Sequence, residues 1–538
     1  MEVAMSCCSP SPFLGKFRTP FYSGISQFRE VIGSSTQTAR VTALFWGPKK
    51  VAEPKELNFS LGSYALAGSS PEGVLESEGK PKVLSISVLS SISDVSPGVW
   101  DACTVDATGP EKFNPFLTHA FLSSLEESGS AVKETGWMPC HIIAKDESDN
   151  IVGAVPLYLK SHSYGEFVFD HSWADAYRSF GSRYYPKLQC CVPFTPVTGP
   201  RILVCNTSFK DQVFEILISA LKDLTAKFQI SSLHITFPSE NEWCKLSEQG
   251  FLQRIGMQYH WKNLNYKSFD EFLMDMKQSK RKNIRQERKK IFDPREVAQM
   301  VRHVVCYHKI LQQNLTMKRL RGHEIKPYFL THVLAATYHN LRSLEDTKML
   351  GIGIPSIIFT ETRQITSLLP VIIHLSLLDI LSIIYRWGTP YLTRDFFHIM
   401  ASKMGDQVLL VIAEEGEEMV AGALNLIGGD ALYGRLWGCH PRKYYPSLHF
   451  EACYYQAIEA AIELNLKTVE AGAQGEHKIQ RGYLPVTTYS SHYLMDEGFR
   501  TAIKDFLDRE SAQVKLVMKL LHESGPFKEG IHQNHQYM

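Results

Sequence analysis

The sequence predicts an α/β (α+β) protein built from two copies of one unit, preceded by a disordered extension. Three echoes between its halves carry that prediction. His141-Ile142-Ile143-Ala144 and Ile151 to Leu159 flank the polar turn Asp146 to Asn150, and Val408 to Ala413 and Met419 to Leu426 flank Glu414 to Glu418, so each half holds a β-hairpin. Arg183-Tyr184-Tyr185-Pro186-Lys187-Leu188 is matched by Lys443-Tyr444-Tyr445-Pro446-Ser447-Leu448. Gly250-Phe251-Leu252 reaches His260-Trp261 over the same spacing that takes Gly482-Tyr483-Leu484 to His492-Tyr493. Three matches in one order point to duplication rather than to two unrelated domains. At 538 residues the chain is also too long for one ordinary core.

Residues 1–50 hold Lys16, Arg18, Arg29, Arg40, Lys49 and Lys50 against Glu2 and Glu30, with many Ser and Thr and no apolar run long enough for a secretory signal. That is the composition of an organelle transit peptide. The weight of Ser, Thr and Pro favours a chloroplast, with a mitochondrion or a cytosolic tail as alternatives. Residues 51–82, with Gly62, Gly68, Ser69, Ser70, Pro71, Gly73 and Gly79, are expected to form a disordered linker. Folded sequence is expected from Val83, where Leu84-Ser85-Ile86-Ser87-Val88 alternates as a strand does. Asn114-Pro115-Phe116 before Phe121 to Leu125 reads as a capped helix start with an apolar stripe. The balance of 57 basic against 56 acidic residues excludes nucleic-acid binding by bulk charge, so any anion site must be local. Eleven cysteines, including the adjacent pairs Cys7-Cys8 and Cys190-Cys191 but no C-x-x-C, argue against a disulfide framework or structural zinc and for a reducing compartment.

In the second copy, Ala421 to Leu426 and Leu432 to Trp437 read as strands around Gly428-Gly429-Asp430, which places Tyr433, Arg435 and Trp437 on one face. From the N-cap candidate Ser447, residues Phe450, Tyr454, Ala457, Ile458, Ala461 and Ile462 recur at helical spacing, predicting an amphipathic helix over 448–464 with Glu459 and Glu463 outward. Thr468-Val469-Glu470 is a short strand. It runs into the densest chemistry of the chain, Glu470 to Tyr483, where three glycines permit sharp turns and close backbone approach beside Gln, Glu, His, Lys, Arg and Tyr. A loop after a strand in an open α/β sheet is where ligands sit.

These strings resemble a known family. Asn425, Tyr433-Gly434-Arg435-Leu436-Trp437-Gly438, Leu448-His449-Phe450-Glu451, Tyr454-Tyr455, Gly472-Ala473-Gln474-Gly475-Glu476-His477-Lys478 and Arg481-Gly482-Tyr483 resemble the N-acyltransferase family labelled peptidoglycan biosynthesis/recognition, a branch of the FemAB-like group. The first half joins through Asn114-Pro115-Phe116, Gly136-Trp137-Met138-Pro139, His162 to Asp170, Tyr184 to Leu188 and Pro193 to Gly199. The resemblance implies tandem GNAT-like (acyl-CoA N-acyltransferase) folds: a first domain over 83–265, a basic linking helix over 266–291, a second domain over 387–523 and a flexible tail over 524–538. Residues 292–386 depart from the pattern except at Asn314 to Ile325, and are expected to be translated non-coding sequence or a gene-model error, with a buried helix pair or a membrane anchor as alternatives. Ile365 to Tyr385 approaches span length, but Pro370, His374 and Asp379 make it a poor span.

The resemblance implies an N-acyltransferase that moves an acyl or aminoacyl group from a thioester or aminoacyl-tRNA donor to a small-molecule amine. No cofactor is expected to stay bound; acyl-CoA or aminoacyl-tRNA would be the co-substrate. A non-catalytic recognition protein that keeps the fold is the alternative. Such chemistry needs a neutral amine, a base, and donors aimed at the developing oxyanion. Glu476 or His477 is the expected base, with Tyr483 and the backbone N–H groups from Gly472 through Gln474 to Gly475 as donors. Lys478 and Arg481 are expected to hold anionic groups, and Tyr433, Arg435, Trp437, His449 and Glu451 to line the pocket. Arg281, Arg285 and Arg288 recur at i, i+4, i+7 and, with Lys282, form an expected anion site for coenzyme A phosphates or a transfer RNA acceptor end; no DNA partner is expected. His162, Glu166 and Asp170 form a polar cluster of the first copy, facing a shared cleft or marking a second site. The spacing of the histidines fits no H-x-x-x-H or H-E-x-x-H metal pattern. Ser239 to Lys245, before Gly250, lacks the glycines and the Glu-His-Lys order, so the second copy is the expected catalytic one.

Overall fold

The computed structural model describes residues 58–66, 82–292, 315–321, 391–416, 418–439 and 445–531, all within one folded unit, Glu56–Met538. The transit-peptide segment 1–50, the span candidate 365–385 and the end of the tail lie outside the described residues. In chain order the described strands are β1 (Phe59–Ala65), β2 (Val83–Leu89), β3 (Trp137–Pro139), β4 (His141–Lys145), β5 (Ile151–Val155), β6 (Leu157–Lys160), β7 (Lys187–Cys190) and β8 (Leu203–Val204). They continue with β9 (Ser232–Thr236), β10 (Leu252–Lys262), β11 (Leu315–Arg321), β12 (Val408–Glu415), β13 (Glu418–Ile427), β14 (Ala431–Cys439), β15 (Thr468–Glu470) and β16 (Leu484–Leu494).

One sheet has the order β1-β2-β4-β5-β8, and the other β11-β12-β13-β14-β15-β10-β16-β9-β7-β6-β3. Each half contains one parallel pair, β7 with β9 and β14 with β15, joined by a helical crossover. The expected hairpins are present as β4–β5, β12–β13 and β13–β14. Pro156 then splits the first-copy strand, sending β5 to one sheet and β6 to the other.

The two copies exchange a strand. β10, from the first half, pairs with β15 of the second, while β16 pairs with β9 of the first. The exchanged strands pair antiparallel with each other from Leu252↔His492 to His260↔Leu484, and Gly256 faces Thr488 at the midpoint. The Gly250 and Gly482 repeats are therefore related by a local two-fold axis through that pair. A Cβ on Gly256 would lie 3.1 Å from the Thr488 Oγ1, so a side chain there would have to displace that hydroxyl slightly. The same axis equates His492, opposite His234, with His260, opposite Glu470.

Cores follow from this arrangement. The helix Lys210–Lys227 buries Val213, Leu217, Leu221 and Leu224 against Leu188, Leu233 and Ile235 on one face of the first-copy sheet. In the second copy, the helical segments Leu448–Phe450, Glu451–Tyr455 and Gln456–Glu463 bury Tyr455, Ile458 and Ala461 with Trp261 of the exchanged strand and Tyr483. Between the copies, helices His119–Glu127 and Arg394–Met404 pack through Phe121 and Phe396, whose rings lie 5.7 Å apart edge to face.

Several expectations are corrected. Residues 51–82 are not all linker, because Phe59–Ala65 pairs with β2; a bulge between Ser60 and Gly62 breaks the alternation that would have revealed the strand. Within 292–386, the stretch Asn314 to Ile325 that was expected to keep the family pattern supplies β11, which pairs with β12 along its length, and residues 293–314 and 322–386 lie outside the described residues. The Tyr-Tyr-Pro echo is not a structural repeat: Lys187 opens strand β7, but Leu448 opens a helix. Tyr433 and Trp437 do not share a face. The register shift between Leu424 and Asn425 turns β14 over, so that Tyr433 packs with Leu426 and Phe116 while Trp437 packs with Val411, Ala423 and Ala452 on the other side. The helix after Ser447 begins without a side-chain cap and contains a π-helical turn, Glu451–Tyr455. Its expected outward carboxylates Glu459 and Glu463 are ion-paired to Arg288 and Arg319. One disulfide, Cys103–Cys205, joins the helix Pro97–Thr108 to the chain beyond β8, a long-range pairing that the odd cysteine count did not reveal.

Candidate active site

β14 and β15 pair only from Ala431↔Thr468 to Tyr433↔Glu470. Beyond that point β14 continues to Cys439 along β13, while Ala471 and Gly472 turn away to exchange backbone hydrogen bonds with Tyr259 of β10. The strands splay, and the edge of β14 from Gly434 onward is paired by no strand among the described residues. The result is a slot through the sheet with unpaired backbone on one wall, suited to an extended amide-bearing ligand.

A polar group lies at the apex of the slot on the Tyr433 face. Glu470 accepts from Arg435 at 3.0 Å and from the Thr198 hydroxyl at 3.2 Å. The Arg435 guanidinium also lies 5.0 Å from the Phe116 ring centre and 5.2 Å from that of Tyr433. Thr198 belongs to the first copy, in a loop held by the buried Arg201, which donates to the carbonyls of Val197, Gly199, Pro200 and Thr236. Gln258 of β10 donates to the Pro196 carbonyl at 2.6 Å, which leaves its own carbonyl oxygen, 3.2 Å from His260 Nε2, as an acceptor. His260 therefore carries its proton on Nε2 and presents Nδ1 as a lone pair. Burial lowers the His260 pKa, with Arg435 and Lys262 acting the same way against the opposing Glu470, so the ring is neutral near pH 7. Sequence reasoning noted His260 only as the end of a repeat; its cross-strand position opposite Glu470 is the signal that was missing.

The opposite mouth of the slot is aromatic. Trp437 meets His449 at 5.2 Å, His449 meets His477 at 6.0 Å and Phe450 meets His477 at 5.5 Å between ring centres. His477 Nε2 lies 2.9 Å from the Tyr454 hydroxyl, and burial, with Arg481 and Lys478 nearby, pushes the imidazole down to about 4. The helical segment that starts at Leu448 opens here, with the N–H groups of Leu448, Phe450 and Glu451 bonded to the carbonyls of Tyr445 and Ser447.

A scan against family models matches residues 91–351 and 380–529 to the FemAB-like family, described as peptidoglycan biosynthesis/recognition. The chain belongs to the FemAB-like family. Among solved structures it is similar to FemX, at 10% identity and a TM-score of 0.40 over 76% of this chain and 98% of that one. A tandem GNAT protein from the clavulanic acid biosynthesis pathway shows 10% identity and a TM-score of 0.36 over 76% and 98%. L-PGS from Bacillus licheniformis shows 9% identity and a TM-score of 0.35 over 77% and 99%. Comparison with curated proteins finds no match.

In this FemAB-like chain the expected site residues divide. Gly472 accepts from the Tyr259 N–H and His477 packs at the aromatic mouth, while Gln474 and Glu476 are exposed. Gly475, at φ +97°, leaves space that a Cβ would contest with the His477 ring at 2.4 Å. Lys478 is turned inward, donating to the carbonyls of Ala471 and Gln474, so it shapes the loop instead of meeting a ligand; burial lowers it to about 8. Tyr483 is fully buried and donates to the Tyr454 carbonyl, which removes it from the donor set. Arg481 pairs with Glu287 and stacks on Phe450, 3.3 Å from the ring centre. Glu451 is fully buried and chelated by Arg288. The basic helix Gln278–Phe292 is thus clamped to the second copy through Glu287 and Arg288, while Arg285 pairs with Asp270, Arg281 donates to Met274 Sδ and Lys282 faces solvent.

The first copy holds a second polar group at the equivalent place. Glu166, Asp170 and Lys187 are buried together with Tyr184, His234 and His492; His162 lies at the edge, its Nδ1 3.3 Å from Lys160 Nζ. Tyr184 donates to Asp170 at 2.6 Å, and His234 Nε2 lies 3.2 Å from the Tyr184 hydroxyl and 2.8 Å from that of Ser232. His234 Nδ1 and His492 Nδ1 share one proton at 2.7 Å, and His492 Nε2 lies 3.0 Å from the Ser490 hydroxyl. Both rings are neutral in this chain of hydrogen bonds. Burial, reinforced by Lys187, lowers His234 to about 3, and burial next to His234 holds His492 well below the ordinary range.

Acid sensitivity follows. Between about pH 6.5 and about pH 4 the unfolded chain binds two protons at these rings that the native state refuses, so stability falls on acidification by about 1.4 kcal/mol per pH unit for each. Urea titrations of the wild type and His492→Gln at pH 7, 6 and 5 should show a shallower decline in the variant; parallel declines would show that the dyad does not titrate as described.

Proposed function

We propose that the protein transfers an acyl or aminoacyl group to an amine, with the donor threaded through the slot between β14 and β15. The observation that carries this reading is His260, neutral and with Nδ1 presented, at the apex of the slot beside the Glu470–Arg435 pair. The amide chain of the donor lies along the unpaired edge of β14. The acyl group then emerges on the polar face. There His260 takes the proton of the attacking ammonium or amine, the nitrogen adds to the carbonyl, and the leaving group departs with a proton returned from solvent or His260. Arg435, held in place by Glu470, faces the charge that develops on the carbonyl oxygen. Membership of the FemAB-like family supports the reaction class. Among the described residues no helix is long and apolar enough to cross a membrane.

Mass spectrometry of small amines incubated with a panel of acyl-CoA and aminoacyl-tRNA donors tests the reading. His260→Gln is expected to lower turnover about 10²–10⁴-fold while leaving donor affinity unchanged. Glu476→Gln, at an exposed position, is expected to retain most of it. Absence of turnover across the panel, with donors or amines still bound, would instead identify a recognition protein.

A further inference from the structure

The buried polar group of the first copy holds carboxylate oxygens that receive no hydrogen bond. Lys187 directs its three protons to Ser163 at 2.9 Å, to Glu166 Oε2 at 2.7 Å and to Asp170 Oδ2. Lys160 donates to the Tyr164 carbonyl at 3.0 Å, lies 3.3 Å from His162 Nδ1 and covers the Trp137 ring at 3.3 Å; Glu166 Oε1 is 3.7 Å from it, beyond hydrogen-bond reach. Tyr184 gives its proton to Asp170 Oδ2. Glu166 Oε1 and Asp170 Oδ1 receive no hydrogen bond, nor does the amide oxygen of the fully buried Gln189, two residues along β7 from Lys187. Buried carboxylate oxygens without a donor are destabilising, more so when charged.

The covering segment has a matching asymmetry. Between His162 and His171 it turns Glu166 and Asp170 inward and leaves Tyr164, Phe167 and Phe169 outside at 58%, 40% and 58% exposure. Phe167 stands at φ +59°, a conformation unusual for an aromatic residue. Three aromatic rings are thus displayed on the same short segment whose carboxylates lack donors.

We propose that this segment and the sheet face beneath it form a second ligand site, which takes a primary ammonium between Glu166 Oε1 and Asp170 Oδ1 and rests the remainder of the amine on Tyr164, Phe167 and Phe169. A primary ammonium supplies the N–H donors that the group lacks, and aromatic faces attract the same cation as it enters. No covalent step is involved. The site does not depend on acyl transfer at the slot, and a transferase-inactive protein would bind equally.

Calorimetry on the full chain with benzylammonium, against benzyltrimethylammonium as a cation of similar shape without N–H donors, is the test. Saturable binding of benzylammonium, at least tenfold tighter than benzyltrimethylammonium and lost in Glu166→Gln, supports the site. Equal affinities, or benzylammonium binding unchanged in Glu166→Gln, overturn it. Should that variant fail to fold, wild-type crystals grown with benzylammonium decide: its nitrogen within hydrogen-bond distance of Glu166 and Asp170 supports the proposal, and water held at both oxygens overturns it.

Discussion

Lys187→Met is expected to cost about 3–5 kcal/mol of folding stability, the range for removing one partner of a buried ion pair. The Lys187 ammonium is fully buried and lies between two buried carboxylates. Burial opposes its charge, but Asp170 and Glu166 outweigh that and hold its pKa above the ordinary lysine value. Methionine fills similar space without charge, so the substitution isolates electrostatics from packing. Glu166 can escape by protonation, since burial already pushes it up to about 7. Asp170 has no such route at neutral pH. Burial alone would raise it, and it is Lys187, aided by His234 and Ser163, that keeps it well below the usual carboxylate range. A depressed carboxylate contributes stability above its unfolded pKa of about 4 and loses it as pH falls toward the folded value. The deficit of the variant relative to wild type should therefore be largest near pH 7 and shrink below about pH 4. Chemical denaturation at pH 7 and at about pH 3 measures it, and a deficit under about 1 kcal/mol at pH 7 would show that the ion pair is replaceable.

Cutting the chain between the two copies is expected to abolish independent folding of either part. A fragment ending at Phe292 retains β10 but loses its neighbours β15 and β16, and leaves the edge of β9 without β16. β10 cannot simply fold back to replace β16. The local two-fold puts Tyr259 where Ser491 sits, and Ser491 is fully buried, so the first-copy site is too small for the ring. Tyr259 and Trp261, both buried in the second-copy core, would be left in water. Residues 58–292 expressed alone should aggregate or lack a cooperative melt, and co-expression with the remainder of the chain should restore a soluble one-to-one complex. A monomeric fragment with a sharp thermal transition would mean that the exchange is dispensable.

Much of the local structure was legible because it depends on local pattern. The hairpins at 141–159 and 408–426 are apolar runs around polar turns, and β15 is a short β-branched run before glycine. The loop from Glu470 was recognisable by composition, and in it Gly472 bonds to Tyr259 and His477 packs against His449 and Phe450. Side-chain direction was not legible. Lys478, Arg481 and Tyr483 have the chemistry of ligand-binding groups, yet each finds an internal partner first, because a buried loop must satisfy its own carbonyls and charges. One bulge was enough to separate Tyr433 from Trp437, since side chains alternate with a period of two and an extra residue reverses every later one.

By itself the sequence determined that the chain contains two related α/β copies, their hairpins and the strand and helix that lead to the Glu470 loop, and the FemAB-like family to which they belong. Tertiary structure alone decided which copy completes which site. β10 and β16 carry the same glycine-to-histidine spacing, so their local patterns do not reveal their partners; the choice is made by long-range packing, where Tyr259 and Trp261 fit the second core and Ser491 and Tyr493 the first. That exchange places His260 beside Glu470 and His492 beside His234, and thereby builds each polar centre from both halves of the chain.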